Sequence, residues 1–219
     1  MNKYTSDLHL GHENILCYGA RAKFKCIEDM NTYFIERWNE SVDSDDDVWI
    51  CGDFSYKSKV DVGHYLKKLR GKKHLIVGNH DVKWMKNCRL SDYFESVNHM
   101  EVIKDGKKTI TLCHFPLMEW YGSRYAEYSP EGTSWLIHGH LHDSRTCDAY
   151  CFIRESLPCA LNCGVDINDF HPVTFEELLE NNDKFYGRMK SYRELTCQEK
   201  WERSIQNSQM QDYFEDGMK

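Results

Sequence analysis

The stretch His74-Leu-Ile-Val-Gly-Asn-His-Asp81 joins a short apolar run to a glycine and three polar side chains. The apolar run is typical of a buried β-strand, and the glycine allows the backbone to turn sharply where the strand ends. An amide oxygen can bind a metal, an imidazole can transfer a proton, and a carboxylate can orient that imidazole. The stretch therefore predicts a strand that ends in a chemically active loop.

Predicted strands and helices alternate in the residues that lead up to this stretch. The strands cover 3–6, 48–51 and 73–77, and the helices cover 28–41 and 60–69. The first helix places Met30, Phe34 and Trp38 on one face, which is a pattern of core packing. This order of elements predicts an α/β architecture built in layers.

The second half of the chain contains further predicted strands with shorter connections. They cover 96–104, 109–113, 135–138 and 157–165. Asp105-Gly106, between the first two of these strands, predicts a hairpin turn. The insertion at 115–133 is rich in aromatic residues, and a structureless run of that length is often a lid or a binding loop.

The C-terminal part begins with Thr174-Phe-Glu-Glu177, which resembles a capping box and predicts a helix that ends near Asn181. The residues that follow are polar and charged, with apolar residues only at wide spacing. We predict one domain over 1–181, with 182–219 as a helical, peripheral extension of the same domain.

Composition restricts the possible partners. The chain has 219 residues and a net charge of −7 from 28 basic and 35 acidic side chains, which argues against a long nucleic acid as partner. The sequence contains no apolar run long enough for a membrane span, and the polar N-terminal residues do not resemble a secretory signal. The net charge does not exclude a small, local basic patch.

The ten cysteines are scattered, and no Cys-x-x-Cys pair occurs. We interpret them as reduced thiols in a cytoplasmic protein. The nearest pairs, Cys147 with Cys151 and Cys159 with Cys163, leave a disulfide or a zinc site open as an alternative.

Acidic, amide and imidazole side chains lie just beyond the predicted strand ends. They are Asp7, His9, Asp53, Asn79, His80, His114, His140 and His142. In an open α/β sheet, ligands bind outside the carboxyl ends of the strands, so we expect these side chains to meet there. Such a set exceeds what one acid/base pair needs and suffices for two adjacent metal ions. Nitrogen and oxygen ligands without sulfur favour Zn, Mn, Fe, Co or Ni.

Five ordered motifs in this set resemble those of the calcineurin-like metallophosphoesterase superfamily. They are Asp7-x-His9, Gly52-Asp53, Gly78-Asn-His-Asp81, His114 and Gly139-His-x-His142. Each motif alone is weak, but the ordered set, over about residues 5–142, is highly specific. The opening Thr5-Ser-Asp-Leu-His-Leu-Gly-His-Glu-Asn14 is similar to that of small, single-domain bacterial and phage members.

The resemblance implies a four-layer α/β/β/α sandwich with two facing mixed sheets and a metal site at the carboxyl edge of the strands. The implied ligands are Asp7, His9 and His142 for the first metal, Asn79, His114 and His140 for the second, and Asp53 as the bridge. His80 is not a ligand in this scheme. It lies beside the scissile phosphate, where it donates a proton to the leaving alkoxide or stabilises charge. Asp81 accepts the other ring N–H of His80 and so fixes its tautomer.

The implied reaction is metal-dependent hydrolysis of a phosphomonoester or a small phosphodiester. Two divalent or trivalent ions, from Mn, Fe, Zn or Ni, lower the pKa of a bridging water, and the hydroxide attacks phosphorus in line. A nuclease or a cyclic-nucleotide phosphodiesterase is an alternative with the same chemistry. A non-catalytic, protein-binding scaffold is disfavoured, because the sequence keeps every ligand and His80.

Three further residues are candidates for substrate contacts. His12 lies one turn beyond the first motif and could reach the phosphate, although a helix-start or supporting role also fits it. Arg145 follows the last motif and could pair with a phosphate oxygen. Trp120, in the insertion, could stack on a nucleobase or could pack the insertion onto the sheet.

Four other polar residues carry weaker indications. His138 directly precedes the last motif, and we predict a structural role for it within the strand. Arg21 is a weaker candidate than Arg145 for a phosphate contact. Asn162 and Asp166, near the last predicted strand, could support the site or simply form a turn.

Overall fold

The computed structural model describes residues 1–126, 134–144, 152–153 and 156–187 of the chain. One sheet consists of β1 (Asn2–Thr5), β2 (Asp47–Ile50), β3 (Lys72–Ile76) and β4 (Phe94–Asn98). These strands are parallel and lie in the order β1-β2-β3-β4. An antiparallel bridge joins Val173 to Tyr4 in β1, so a later segment pairs with this sheet as well.

The other sheet consists of β5 (Met100–Asp105), β6 (Lys108–Cys113), β7 (Ser134–His138) and β8 (Ala160–Asn162), in that order. The first two strands are antiparallel and form the predicted hairpin, in which Asp105 pairs with Lys108. The remaining pairs are parallel, so this sheet is mixed. The carboxyl ends of β6, β7 and β8 therefore lie at the same edge.

The described helices are mostly short. The α-helices are α1 (Ile27–Ser41), α2 (Val62–Leu66), α3 (Asp81–Met85), α4 (Ser123–Ala126) and α5 (Phe175–Tyr186). Four 3-10 helices cover Glu13–Cys17, Gly19–Lys23, Leu90–Asp92 and Val165–Ile167. Within these ranges, no helix is long and apolar enough to cross a membrane.

Side chains that alternate along the strands divide the core into three clusters. In β2, Val48 and Ile50 pack with the residues of α1, whereas Trp49 between them packs against the other sheet. In β7, Ile137 faces the cluster between the sheets, and Leu136 faces a third cluster on the outer side. Successive strand residues point to opposite faces, so each sheet is covered on both sides. The predicted α/β sandwich with two facing sheets is confirmed.

The predicted strand at 96–104 is wrong as a single element. The structure has two strands there, β4 and β5, which belong to different sheets, with His99 between them. Residues 96–98 are half-buried, 99 and 100 are both exposed, and half-buried and exposed residues alternate only over 101–104. The chain leaves one sheet and enters the other within one residue, and no turn-forming glycine or proline marks that point.

Other boundaries also differ from the predicted ones. The helix predicted at 60–69 is limited to α2, and the strand predicted at 157–165 is limited to β8. The capping box at Thr174 is formed as predicted, but α5 continues to Tyr186, past the boundary placed at 181. The remainder of the predicted extension, from 188 onwards, lies outside the described residues.

The insertion predicted as structureless contains α4, and 127–133 lie outside the described residues. Of the two cysteine pairs, Cys147 and Cys151 also lie outside them. Cys163 is a free thiol, fully buried between the sheets, so the alternative pairing with Cys159 is not formed.

Candidate metal centre

Loops from both sheets meet at one edge of the sandwich. Each loop follows the carboxyl end of a strand, where α/β proteins usually bind their ligands. The predicted site residues lie in these loops: Asp7 and His9 after β1, Asp53 after β2, Asn79 and His80 after β3, His114 after β6, and His140 and His142 after β7. The fold thus makes neighbours of side chains that are far apart in the sequence.

Five of the predicted ligands have a left-handed backbone, which residues other than glycine seldom adopt. They are Asp7 (φ 57°), His9 (φ 51°), Asp53 (φ 54°), His140 (φ 71°) and His142 (φ 51°). Strained backbone of this kind persists only where surrounding contacts hold it, and it concentrates at functional sites. The conformation lets short loops direct several side chains towards one point.

Glycines give the carboxylates room. A Cβ atom on Gly78 would collide with the Asp53 carboxylate, and one on Gly139 would collide with that of Asp7. Gly78 is not among the glycines with positive φ, so the conformational freedom expected from the sequence is not what this position requires. Its role is to allow close approach of the backbone to Asp53.

Asp7, His9 and His142 form a first group whose ligand atoms all lie within 4.8 Å of one another. Asp7 Oδ1 and His9 Nε2 are buried and have no hydrogen-bond partner among the described residues. An unpaired buried polar atom is costly, and a cation between these two atoms would satisfy both. The donor set therefore fits a metal ion at this point.

Asp7 also belongs to a second group, with Asp53 and His114, which meets the same distance limit of 4.8 Å. Asp53 Oδ2 lies 3.6 Å from His9 Nε2 and 3.5 Å from His114 Nε2. This oxygen thus lies between an imidazole of each implied set. The resemblance implied one shared carboxylate, and the structure brings two carboxylates to the boundary between the sets.

Asn79 and His140 both lie next to His114 of the second group. Asn79 Oδ1 is 2.9 Å from His114 Nε2, so both ligand atoms point to the same place. His140 is exposed, and its ring centroid lies 5.2 Å from that of His114. It belongs to neither close group, although its backbone N–H donates to Asp7 Oδ2 at 2.9 Å.

Two of the imidazoles are held through their second ring nitrogen. His114 Nδ1 lies 2.8 Å from the carbonyl oxygen of Cys51, and His142 Nδ1 lies 2.8 Å from Asp166 Oδ2. Such partners fix the tautomer and leave Nε2 available as a ligand. Asp166 in turn accepts hydrogen bonds from Arg21, which is only 1% exposed.

The sequence carries only weak indications for Asp166 and Arg21. The structure makes both of them supports of His142, and Arg21, the weaker of the two arginine candidates, is not placed for a phosphate contact. A buried arginine requires a buried carboxylate as partner. A sequence pattern that predicted burial of Arg21 would therefore also have predicted an acidic partner for it. However, neither residue stands in an apolar pattern that indicates burial.

The electrostatics favour a bound cation. Burial lowers the pKa of His9 well below its usual value, and partial desolvation of the His140 ring lowers its pKa as well, although the residue as a whole is exposed; both imidazoles thus stay neutral with a free lone pair. Burial raises the pKa of Asp53 to about 6. Burial alone would lower the pKa of His142, but the hydrogen bond to Asp166 raises it overall. Buried carboxylates that resist ionisation gain most from a positive charge beside them.

His80 faces the ligands without being tied in place. Its Nε2 lies 3.9 Å from Asp53 Oδ2, and its side chain is 32% exposed. The hydrogen bond predicted between its ring and Asp81 is wrong. Asp81 is fully buried and accepts from the backbone N–H groups of Asp53, Phe54 and Gly78 and from the indole of Trp84.

The three candidate substrate contacts lie in different places. His12 lies beside the site, with its Nδ1 3.3 Å from His9 Nδ1. Trp120 is 9% exposed and packs in the third core cluster, so packing of the insertion is the interpretation that the structure favours. Arg145 lies outside the described residues. His138 is buried within β7, as expected of a structural residue.

Comparison with known proteins found no family model that matches the chain. The gene 66 protein of Mycobacterium phage D29 is 32% identical over 188 residues, which cover 74% of this chain and 86% of the phage protein. The chain belongs to the family of this gene 66 protein.

Similar proteins occur outside phages as well. An uncharacterised protein of Methanocaldococcus jannaschii is 29% identical over 181 residues, 82% of this chain and 89% of its own length. A solved structure of a protein of unknown function from Aquifex aeolicus is similar with a TM-score of 0.61 and 27% identity, over 82% of this chain and 98% of that one.

Proposed function

We propose that the chain is a metal-dependent phosphoester hydrolase whose metals are held where loops from both sheets meet. The observation that carries this proposal is the pair of buried, unpartnered atoms, Asp7 Oδ1 and His9 Nε2, beside the Asp53 carboxylate. Leaving such atoms without a partner is costly, and a cation bound between them would remove that cost. The sandwich fold and the ordered motifs support the same reaction class.

The residues would hold two metal ions. Asp7, His9 and His142 form one set, and Asn79, His114 and His140 form the other, with the Asp53 carboxylate between them. When bound, two such ions supply Lewis acidity, which activates a water and neutralises charge on the phosphoryl oxygens. Mn, Fe, Zn and Ni all accept this mixture of nitrogen and oxygen donors.

The chain's own residues orient the substrate and move the proton. Asp166 and the Cys51 carbonyl contact Nδ1 of His142 and His114, so that Nε2 of each ring is directed towards the site. His80, whose ring is partly open to solvent, hydrogen-bonds a phosphoryl oxygen and supplies the proton to the leaving alkoxide. Asp81 holds the backbone of the loops that carry Asp53 and His80, and so positions both side chains.

A small phosphoester is the substrate that we propose, because the net charge of −7 opposes the approach of long nucleic acids. The free, buried thiols of Cys51 and Cys163 support a cytoplasmic location.

The test is an activity screen of the purified chain. It should be loaded with Mn, Fe, Zn or Ni in parallel and assayed on 4-nitrophenyl phosphate, bis(4-nitrophenyl) phosphate and cyclic nucleotides. We expect turnover that a chelator abolishes and that added metal restores. If the metal-loaded chain is inert on every one of these esters, the proposed function is wrong.

A further inference from the structure

A cavity of about 370 Å³ opens directly beside His80. It is lined by the loop that follows Ser55, by the start of α2, and by α3 with the turn after it. None of the predicted metal ligands lines it, but His80 does. The cavity therefore continues from the proton-donor side of the site and away from the metal ligands.

Aromatic side chains connect this cavity to the site. The ring of Tyr56 lies against that of His80, with centroids 4.1 Å apart. The indole of Trp84 donates to Asp81 Oδ1 at 2.8 Å, and the same carboxylate binds the backbone N–H of Asp53. The cavity walls and the loop that carries Asp53 are thus positioned by one buried group.

The loop on the other wall is also held in place. Ser55 Oγ donates to the Leu10 carbonyl oxygen at 2.7 Å, and the two residues form a parallel bridge. Lys57 in this loop has a left-handed backbone, with φ 48°, which is uncommon for lysine. The cavity is therefore formed before any ligand binds.

Three lysines line the cavity: Lys57, Lys59 and Lys83. The carboxylate among the lining residues, that of Asp61, accepts the backbone N–H of Gly63 at the start of α2. Lys59 pairs with Glu13 at 2.7 Å. In the described part of the chain, neither Lys57 nor Lys83 forms an ion pair, although the Lys57 ammonium lies 5.1 Å from the centre of the Tyr56 ring.

We propose that this cavity is the leaving-group pocket, and that it takes a leaving group that carries a second anionic group, a phosphate or a carboxylate. The inference rests on the proposed function, because His80 marks the leaving-group side only if it protonates the departing oxygen. The oxygen of water forms the new bond to phosphorus, the ester P–O bond breaks, and the leaving alkoxide takes a proton. The second anionic group stays intact and binds Lys57 and Lys83.

The lysines matter because the rest of the chain repels anions. The net charge is −7, so long-range steering cannot produce a preference for a doubly anionic substrate. A preference of that kind would have to come from a local positive site. Tyr56 and Trp84 add apolar surface for the carbon skeleton between the two anionic groups.

The experiment compares propane-1,3-diol bisphosphate with 3-hydroxypropyl phosphate, which has the same skeleton and a neutral end. We expect a higher kcat/KM for the bisphosphate in the metal-loaded chain. Lys83→Met and Lys57→Met should each lower the ratio of the two kcat/KM values by about 5-fold, as expected for a partly exposed charge pair. Lys86→Met is the matched control, since Lys86 follows α3 directly, is exposed and does not line the cavity. Lys86→Met makes the same charge change and should leave the ratio of the two kcat/KM values unaltered.

The outcomes separate this inference from the proposed function. If the chain hydrolyses 4-nitrophenyl phosphate but shows equal kcat/KM values for the two propyl substrates, the pocket assignment is wrong and the hydrolase remains. If no ester is hydrolysed, the proposed function fails, and calorimetric titration of the metal-free chain with the bisphosphate decides whether Lys83 binds an anion. A single-stranded oligothymidylate cleaved faster than the bisphosphate, with the same dependence on Lys83, would overturn the small-molecule assignment.

Discussion

His114 and His142, which follow strands of one sheet, are held differently from His80, which follows a strand of the other. On the β6 and β7 side, His114 and His142 each have Nδ1 at 2.8 Å from a fixed acceptor. On the β3 side, the ring of His80 makes no hydrogen bond to any residue that the structure describes, and its side chain is 32% exposed. The carboxylate next to it in sequence, Asp81, binds backbone N–H groups instead.

This difference fits two kinds of chemical work. A metal ligand must present one nitrogen in one tautomer, so a second hydrogen bond that fixes the ring is useful. A group that gives up and regains a proton must exchange it with solvent and adjust to the substrate. We call the part of the site with His114 and His142 the tied side, and the part with His80 the free side. The contrast between them can be tested by removing one group at a time.

The largest effect is expected from Asp53→Asn, which removes the carboxylate that lies between the two sides. We expect metal content and turnover to fall together, the rate by at least about 10³-fold, because the shared negative charge is lost. Metal analysis and the hydrolysis rate of 4-nitrophenyl phosphate measure both. Asp92→Asn, at an exposed carboxylate of the 3-10 helix Leu90–Asp92, is the control and should change neither.

His80→Ala tests the free side alone. We expect the rate to fall by about 10²-fold, the usual contribution of a positioned acid or base, while metal content stays unchanged. The same two measurements apply. Loss of metal in this variant would mean that His80 is a ligand, and the contrast between the two sides would collapse.

Asp166→Asn tests the tied side through its support. His142 should lose its fixed orientation, and metal affinity should fall by about 10–100-fold, as for other supporting carboxylates. Arg21 would become a buried, unpaired charge, so the free energy of unfolding should also fall by about 3 kcal/mol.

Competition with a chelator measures the affinity in Asp166→Asn, and urea unfolding of the metal-free chain measures the stability. Unchanged metal affinity with reduced stability would show that Asp166 serves the fold and not the site. Asp169→Asn, at a nearby exposed carboxylate that pairs with Arg37, is the matched control.

The smallest effect is expected far from both sides, at the capping box of α5. Thr174→Ala should lower the free energy of unfolding by about 1 kcal/mol at pH 7, with no change in metal content. Burial raises the pKa of Glu177, but its hydrogen bonds from Thr174 lower it overall. A carboxyl whose pKa is depressed in the folded state stabilises the fold above its ordinary pKa of about 4.3 and loses that contribution as pH falls.

The difference between Thr174→Ala and the unmodified chain should therefore shrink in urea unfolding below about pH 4. Thr174→Ser keeps the hydroxyl and serves as the control. A constant difference at all pH values would mean that Glu177 takes no part in the cap.

The sequence allowed prediction of the side chains that gather at the site, because each follows directly after a short strand. For Asp7, Asp53 and His114, the strand end and the chemical group lie within three residues of each other. The sheet topology then brings these strand ends to one edge of the sandwich. The two facing sheets were implied by the ordered motifs. Local patterns thus sufficed wherever the group and its supporting strand are adjacent in the chain.

Features that depend on distant pairing could not be predicted. Arg21 and Asp166 are 145 residues apart, and their burial appears only when the 3-10 helices that carry them come together. Two of the partners of Asp81 come from the loop after β2, 27 and 28 residues earlier in the chain. The passage from β4 to β5 at His99 likewise depends on which sheet each strand pairs with.

The left-handed backbone at five of the ligands has a consequence for how this chain can vary. Aspartate, histidine and asparagine are among the few residues besides glycine that adopt this conformation readily, whereas β-branched residues pay a steric penalty there. In a library selected only for folding, Asp7, His9, Asp53, His140 and His142 should therefore still reject valine and isoleucine and accept glycine or asparagine. A descendant that had lost its activity would remain confined to the same short set of residues at these positions.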